Sequence, residues 1–201
     1  NYPIDGSGGD GSVAQTANVA FSDDGVHFER PDLGVVDLGD GGANNIVWQN
    51  ERFISHNMAP FVDANPDAAP DARFKAIGGV RREGVYAMAS PDGVNWRLLK
   101  DEPVLTEGDF DSLNLAFWDT ELGCYVAYIR QSREGKRSVR RCTSKDFLNW
   151  SAPEWLEFGE GPLEQFYTNA IQPYPRDPGL YLGFPKRYVP ERTMYEEHGH
   201  T

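Results

Sequence analysis

The chain has 201 residues, of which 39% are hydrophobic and 12% aromatic, enough to bury a sizeable core. Its formal charge of −12 sets it against nucleic acid and anionic membrane surfaces, and no apolar run approaches the roughly 20 residues of a membrane-spanning helix. The first residues, NYPIDG, contain neither a Met nor a signal peptide, which leaves a secreted or periplasmic location open.

In chain order, residues 13–38 read as outer strands. "ANVAF" leads into "SDDGVHF" (22–28), and "ERPDLGVVDL" follows. Residues 44–105 then supply "NNIVWQ", a Pro/Asp/Ala-rich insertion at 55–71, "ARFKAIGGV", "VYAMA", "SPDGVNW" (90–96) and "RLLKDEPVL". Residues 113–158 repeat the order with "LNLAFWD", "CYVAYIRQ", "SVRRCT", "SKDFLNW" (144–150) and "SAPEWLEF". Residues 167–188 give only "TNAIQPY" and "LYLGFPKRY". The seven-residue phrase with Ser first, Asp third and an aromatic last is a turn staple: the Ser and Asp side chains bond turn amides and the ring covers them. The spacing of Ser22, Ser90 and Ser144 tracks that of Asn45, Asn114 and Asn169 to within one residue. A unit of four short antiparallel strands is therefore being repeated, which predicts an all-β chain and a β-propeller of four-stranded blades. The half-blades at 13–38 and 167–188 leave the ring incomplete. They predict an open fragment, completed by self-association or by a missing propeller segment. Cys124 and Cys142 fall on consecutive strands of one hairpin and read as two buried thiols rather than a disulfide framework.

In a propeller the loops entering the inner strands form one mouth. Five residues before Asn45, Asn114 and Asn169 stand Asp40, Asp109 and Glu164, with Asp111 close to the second. Converging carboxylates are what glycosidic cleavage needs: one protonates the leaving oxygen and another activates water or attacks the sugar carbon. The sugar-contacting set expected around them is Asn45, Trp48, His56, Asn57, Asn114, Tyr167, Asn169 and Arg187. Asp63 and Asn65 in the insertion belong either to a subsite or to a simple turn. Trp48, Phe117, Trp118, Phe166 and Tyr167 divide between core and ring-stacking roles. Lys186, Arg187 and Arg192 either bind anionic sugar groups or pair with the acidic loops, and pairing is the simpler reading. His56 reads as a polar loop residue rather than a metal ligand. No phosphate-binding loop, dinucleotide fingerprint, zinc-spaced Cys/His set or nucleophile elbow is present, so neither metal nor cofactor is expected.

The stretch "FDSLNLAFWDTELGCYVAYIRQ…RRCTSKDFLNWSAPEWLEFGEGPLEQFYTNAIQPYP" (110–175) resembles the five-bladed propeller glycoside hydrolases of families 32 and 43. The resemblance implies that Asp111 matches their transition-state-stabilising Asp, and that Ser144, Asp146 and Trp150 match their Ser-x-Asp-x-x-x-Trp phrase. It implies that Glu164 is the general acid and that Asp40 or Asp63 supplies the base or nucleophile. Where the family carries Arg-Asp-Pro, this chain has Phe110-Asp111-Ser112. The expected activity is hydrolysis of a carbohydrate. A propeller that binds sugar without cutting it, and an interaction scaffold, are the alternatives.

Overall fold

Strand-forming runs follow one another from Thr16 to Arg187. A computed structural model describes residues 15–39, 41–49, 52–111 and 113–190. The strands are β1 (Thr16–Asn18), β2 (Ile46–Gln49), β3 (Ala59–Val62), β4 (Phe74–Val80), β5 (Gly84–Ser90), β6 (Arg97–Leu98), β7 (Leu115–Asp119), β8 (Cys124–Arg133), β9 (Lys136–Ser144), β10 (Glu154–Trp155), β11 (Phe166–Thr168), β12 (Gln172–Tyr174), β13 (Asp177–Leu182) and β14 (Lys186–Arg187). Among the described residues the only helical element is a 3₁₀ turn at Pro70–Ala72. The fold is all-β. Two four-stranded antiparallel sheets, β3-β4-β5-β6 and β7-β8-β9-β10, are flanked by the β1-β2 pair and by a long hairpin in which β11 pairs with β14 and β12 with β13.

The side-chain alternation of β8 shows how these layers stack. Tyr125, Ala127 and Ile129 point one way, into a core shared with Ile77, Val85 and Ala87 of the first sheet. Cys124, Val126 and Tyr128 point the other way and meet Ile171 and Tyr181 of the terminal hairpin. A third cluster, Ile54, Ala76, Tyr86 and Met88, lies on the opposite face of the first sheet, against Trp48 of β2. Both four-stranded sheets are thus buried on both faces, which is why β5 and most of β8 are continuously buried. Each fully buried Ile, Val, Met or Phe contributes about 1.5–3 kcal/mol of apolar transfer.

The three Ser/Asp phrases close equivalent turns. In each, the Ser hydroxyl reaches the Asp Oδ1 (3.1, 3.0 and 3.0 Å), which also accepts two backbone amides; the other Asp oxygen takes His27, Asn95 or Asn149 at 2.6–2.7 Å. The fourth residue of the phrase is left-handed in every copy: Gly25 (φ 74), Gly93 (φ 78) and Phe147 (φ 68). Glycine is at ease there; Phe147 is not. Its ring is fully buried between Phe61, Tyr125 and Trp150, at 5.0–5.7 Å between centroids. That packing holds the strained backbone.

The strand phase differs from the sequence expectation at one place. "NNIVWQ" does not open the first four-stranded sheet. Its β2 pairs with β1, just as the chain after β6 returns to pair at Val85–Leu105. It is therefore an outer strand of the preceding unit. The first strand of the sheet is β3, inside the stretch expected to be an insertion, and it pairs with β4 from Ala59↔Ile77 to Val62↔Phe74. Pro60 is tolerated because β3 is an edge strand. Gly78 is required by the crossing before β3, since a Cβ there would stand 2.4 Å from the Ile54 carbonyl oxygen. The two cysteines are free and buried; Cys124 pairs across with Asp119 and Cys142 with Ala127.

Candidate functional site

The chain enters β3 and β7 by the same device. Phe53-Ile54-Ser55-His56-Asn57 precedes the first and Phe110-Asp111-Ser112-Leu113-Asn114 the second, a Phe-x-Ser-x-Asn pattern; Ser112 lies outside the described residues. Both phenylalanines are left-handed, with φ 57 and 46. Phe110 is fully buried. It acts as a peg, and the residues on either side of it, Asp109 and Asp111, open onto a hollow of about 420 Å³ that they share with His56, Val80, Arg81 and Arg82. Non-glycine backbone strain of this kind collects at functional sites.

Each carboxylate of the hollow has a basic neighbour. Asp109 lies 3.5 Å from Arg81 and accepts the Ser132 amide and hydroxyl, both at 2.6 Å. Asp111, 43% exposed, meets the guanidinium of the buried Arg130 at 2.9 Å. Arg130 in turn lies 5.2 Å from the ring centroid of Tyr167, which brings the entry to β11 beside the entry to β7. There Glu164 is clasped by Arg187 through two bonds of 2.7 and 2.9 Å. Tyr167 also faces Lys186 (5.5 Å) and Arg137 (5.4 Å), and Arg137 sits 4.5 Å from the Tyr188 ring. Glu164 borders a second hollow, of about 400 Å³, formed with Arg133 and the loop from Leu156 to Leu163.

The expected ring of three carboxylates is reduced by the corrected strand phase. The residue five before Asn57, matching Asp109 and Glu164, is Arg52, and it turns away to the Asp101 carbonyl oxygen at 2.7 Å. Ile54, fully buried, stands where Asp111 stands in the next unit. Asp40 lies outside the described residues, as does Arg192. Asp63 follows the last residue of β3, at the opposite end of that strand from the hollow. Its side chain has no exposure; it forms an ion pair with Lys75 and accepts the Tyr125 hydroxyl at 2.8 Å. Burial and the Asp63 carboxylate raise the Tyr125 phenol. Asn65 completes this group by bonding the Tyr125 oxygen at 3.1 Å. An enclosed group of this kind holds the two sheets together and offers nothing to a substrate.

The asparagines expected to touch sugar are mostly structural. Asn114 is fully buried and its side chain serves the Asp111 carbonyl (3.3 Å) and the Arg130 amide (3.2 Å). Asn169 is buried and bonds the Leu113 carbonyl (2.7 Å) and the Ile171 amide (3.2 Å). Asn45 ties the two flanking strands through the Val19 carbonyl. Trp48 packs on the core beside β4 and β5. His56 is buried with Nδ1 3.1 Å from Gln15 Oε1 and reaches the hollow, while Asn57 lines a separate cleft between the β1-β2 pair and the first sheet. Among the described residues no group of three His, Cys, Asp or Glu side chains is placed to hold a metal ion.

Arg130, Arg137 and Arg81 were not expected in the site. Arg130 and Arg137 lie on the strands of the β8-β9 hairpin, and their sequence signal, "YIRQSREGKRSVRR", reads only as charged strand ends. Comparison with protein-family models, with curated proteins and with solved structures finds no match.

Proposed function

We propose that the protein is a glycoside hydrolase whose stacked four-stranded sheets are blades of a β-propeller, with its chemistry at the entries to β7 and β11. The observation that carries the reading is the pair Asp109 and Asp111, pegged outward by the buried Phe110 onto one hollow. Equivalent Ser/Asp turns on successive sheets support the blade assignment. Asp111, beside Arg130, is the carboxylate that faces the positive charge growing on the sugar ring. Glu164 or Asp109 gives its proton to the leaving oxygen as the glycosidic bond breaks, and the resulting carboxylate takes a proton back from the water whose oxygen bonds the sugar carbon.

Leaving groups separate these roles. Release of sugar from a panel of polysaccharides identifies a substrate, and Asp109→Asn, Asp111→Asn and Glu164→Gln are then compared on it and on an activated aryl glycoside. The proton donor's variant loses about 10²–10⁴-fold on the poor leaving group and little on the aryl glycoside. Asp111→Asn loses on both. Full activity in all three variants would remove the chemistry from this mouth. A second reading, sugar binding without cleavage, is favoured by the arginine beside each of the three carboxylates. It predicts that oligosaccharide binds and is never shortened.

A further inference from the structure

The mouth reverses the charge of the molecule. The chain carries 31 acidic and 19 basic residues, yet Arg130, Arg137 and Lys186 stand 5.2–5.5 Å from the Tyr167 ring centroid, and Arg187 follows Lys186 in β14. Two of these cations are spoken for by carboxylates: Arg187 by Glu164 and Arg130 by Asp111. Arg137 and Lys186 differ. Among the described residues neither forms an ion pair with a carboxylate. Arg137 donates to Gln165 Oε1 at 3.1 Å, while its buried Nε has no partner, and Lys186 contributes only its backbone amide, to Thr168 Oγ1 at 3.3 Å. Both flank the same face-bearing residue, Tyr167, three positions after Glu164.

An acidic protein that brings two cations together without a counter-charge incurs mutual repulsion, which an anion relieves. The Tyr167 ring, with the cations stacked over it, holds their guanidinium and ammonium groups in place as charge-assisted donors to an anion. We infer that the sugar taken at this mouth is anionic, carrying a carboxylate or sulfate that Arg137 and Lys186 bind beside Tyr167. This rests on the carbohydrate reading given above and names the class of its substrate. Arg137→Gln or Lys186→Gln removes one donor and half of the cation pair.

Binding tests the inference without any turnover. The full chain is titrated calorimetrically with a galacturonate pentamer, a neutral galactose pentamer and a sulfated galactose pentamer, in low and in moderate salt. An anionic pentamer binds about tenfold or more tighter than the neutral one, and its advantage shrinks as salt rises. Comparing the carboxylated and sulfated arms tells which anion fits. Lys186→Gln, at an exposed edge position where folding is not at stake, weakens the anionic pentamer about tenfold and leaves the neutral one unchanged. Arg137→Gln does the same, with its melting temperature checked alongside. Lys145→Gln, at the opposite end of the second sheet and bonded to the Gly123 carbonyl, changes nothing. Equal binding of neutral and anionic pentamers, an equal loss in the Lys145 variant, or no binding at all overturns the inference. Anionic binding without cleavage keeps it and removes the hydrolase; cleavage of a neutral glycan without anionic preference does the reverse.

Discussion

At the end of β3, Asp63 has no side-chain exposure and Lys75 only 8%; at the entry to β11, Glu164 and Arg187 keep 40% and 62% of theirs. Both pairs join a carboxylate to a cation in an acidic chain, and both carboxylates are candidates for catalysis from sequence alone. Their surroundings separate them. Asp63 and Lys75 are roofed by Tyr125 and Phe147, whose ring centroids lie 5.4 and 5.9 Å from the Lys75 ammonium. No substrate reaches them, and neither charge can be lost without stranding the other. Glu164 and Arg187 can part, because water takes over each partner. Burial, more than residue type, decides whether an ion pair is architecture or is open to exchange with a ligand.

The largest expected effect comes from breaking the sealed pair. Asp63→Ala leaves Lys75 buried and unpaired and costs about 3–5 kcal/mol. That lowers the melting temperature by about 10 °C or more, read by calorimetry. A drop of a degree or two would mean that water reaches Lys75 and that the pair is not sealed. Phe147→Ala opens the roof and costs a similar amount, about 3–5 kcal/mol. Phe147→Gly loses the same ring but relieves the left-handed backbone at φ 68, so it melts no lower than the alanine variant. A glycine variant clearly less stable than alanine would show that the backbone there is unstrained.

Acid attacks the same roof through its turn. Burial alone would raise the Asp146 carboxyl, but the Asn149 amides, the Leu148 amide and Ser144 hold it below its ordinary value; at Asp92 the Asn95 backbone and side-chain amides do the same. A folded value below the unfolded one, about 3.9, means stability that is fully present above that pH and lost as pH falls through the folded value. Melting temperature therefore falls steeply from about pH 4 downward. The double variant Asp92→Asn/Asp146→Asn starts lower at pH 7 and flattens that fall; an unchanged slope would place the acid sensitivity elsewhere. The smallest effect belongs to the open pair. Glu164→Gln changes stability by less than about 1 kcal/mol. A much larger cost in a thermal melt would make Glu164 a structural residue and weaken its claim to chemistry.

What the sequence reveals follows the range of the interactions. The Ser/Asp turns are legible because Ser, Asp and the amides they bond lie within three residues of one another. The β8 strand is legible from its apolar run, and β9, four of whose nine residues are basic, from its place just before the Ser144 turn. The entry to β3 is missed because Phe53-x-Ser-x-Asn57 sits in a Pro/Asp-rich stretch that resembles a loop, and with it the equivalence of Arg52 to Asp109 is missed. Glu164 and Asp109 are found by their place before an asparagine, although Asn114 and Asn169 prove to bind backbone. The fate of Asp63 depends on Lys75 and Tyr125, which only the pairing of β3 with β4 and the stacking of two sheets bring near. Likewise Arg137 and Lys186 meet at Tyr167 only because the terminal hairpin lies beside β9.

The layering has a kinetic corollary. Among the described residues, apolar clusters join each layer of the molecule to the next, so its cohesion resembles a sum of nearest-neighbour terms. Such a stack loosens from its outer layers inward. The amides of β5 and β8, paired on both sides and covered on both faces, exchange with deuterated solvent only when the whole stack opens. Those of β1, with one pairing neighbour, and of β13, whose Leu180 and Leu182 face water, exchange by fraying. The charged residues at the strand entries lie along this gradient: Asp109 is bonded to Arg130 and Ser132 of β8, in the slow interior, and Lys186 begins a strand of the fast rim. A ligand held between them would couple the two, and its arrival would register as slowed exchange in β14 well before any change in β8.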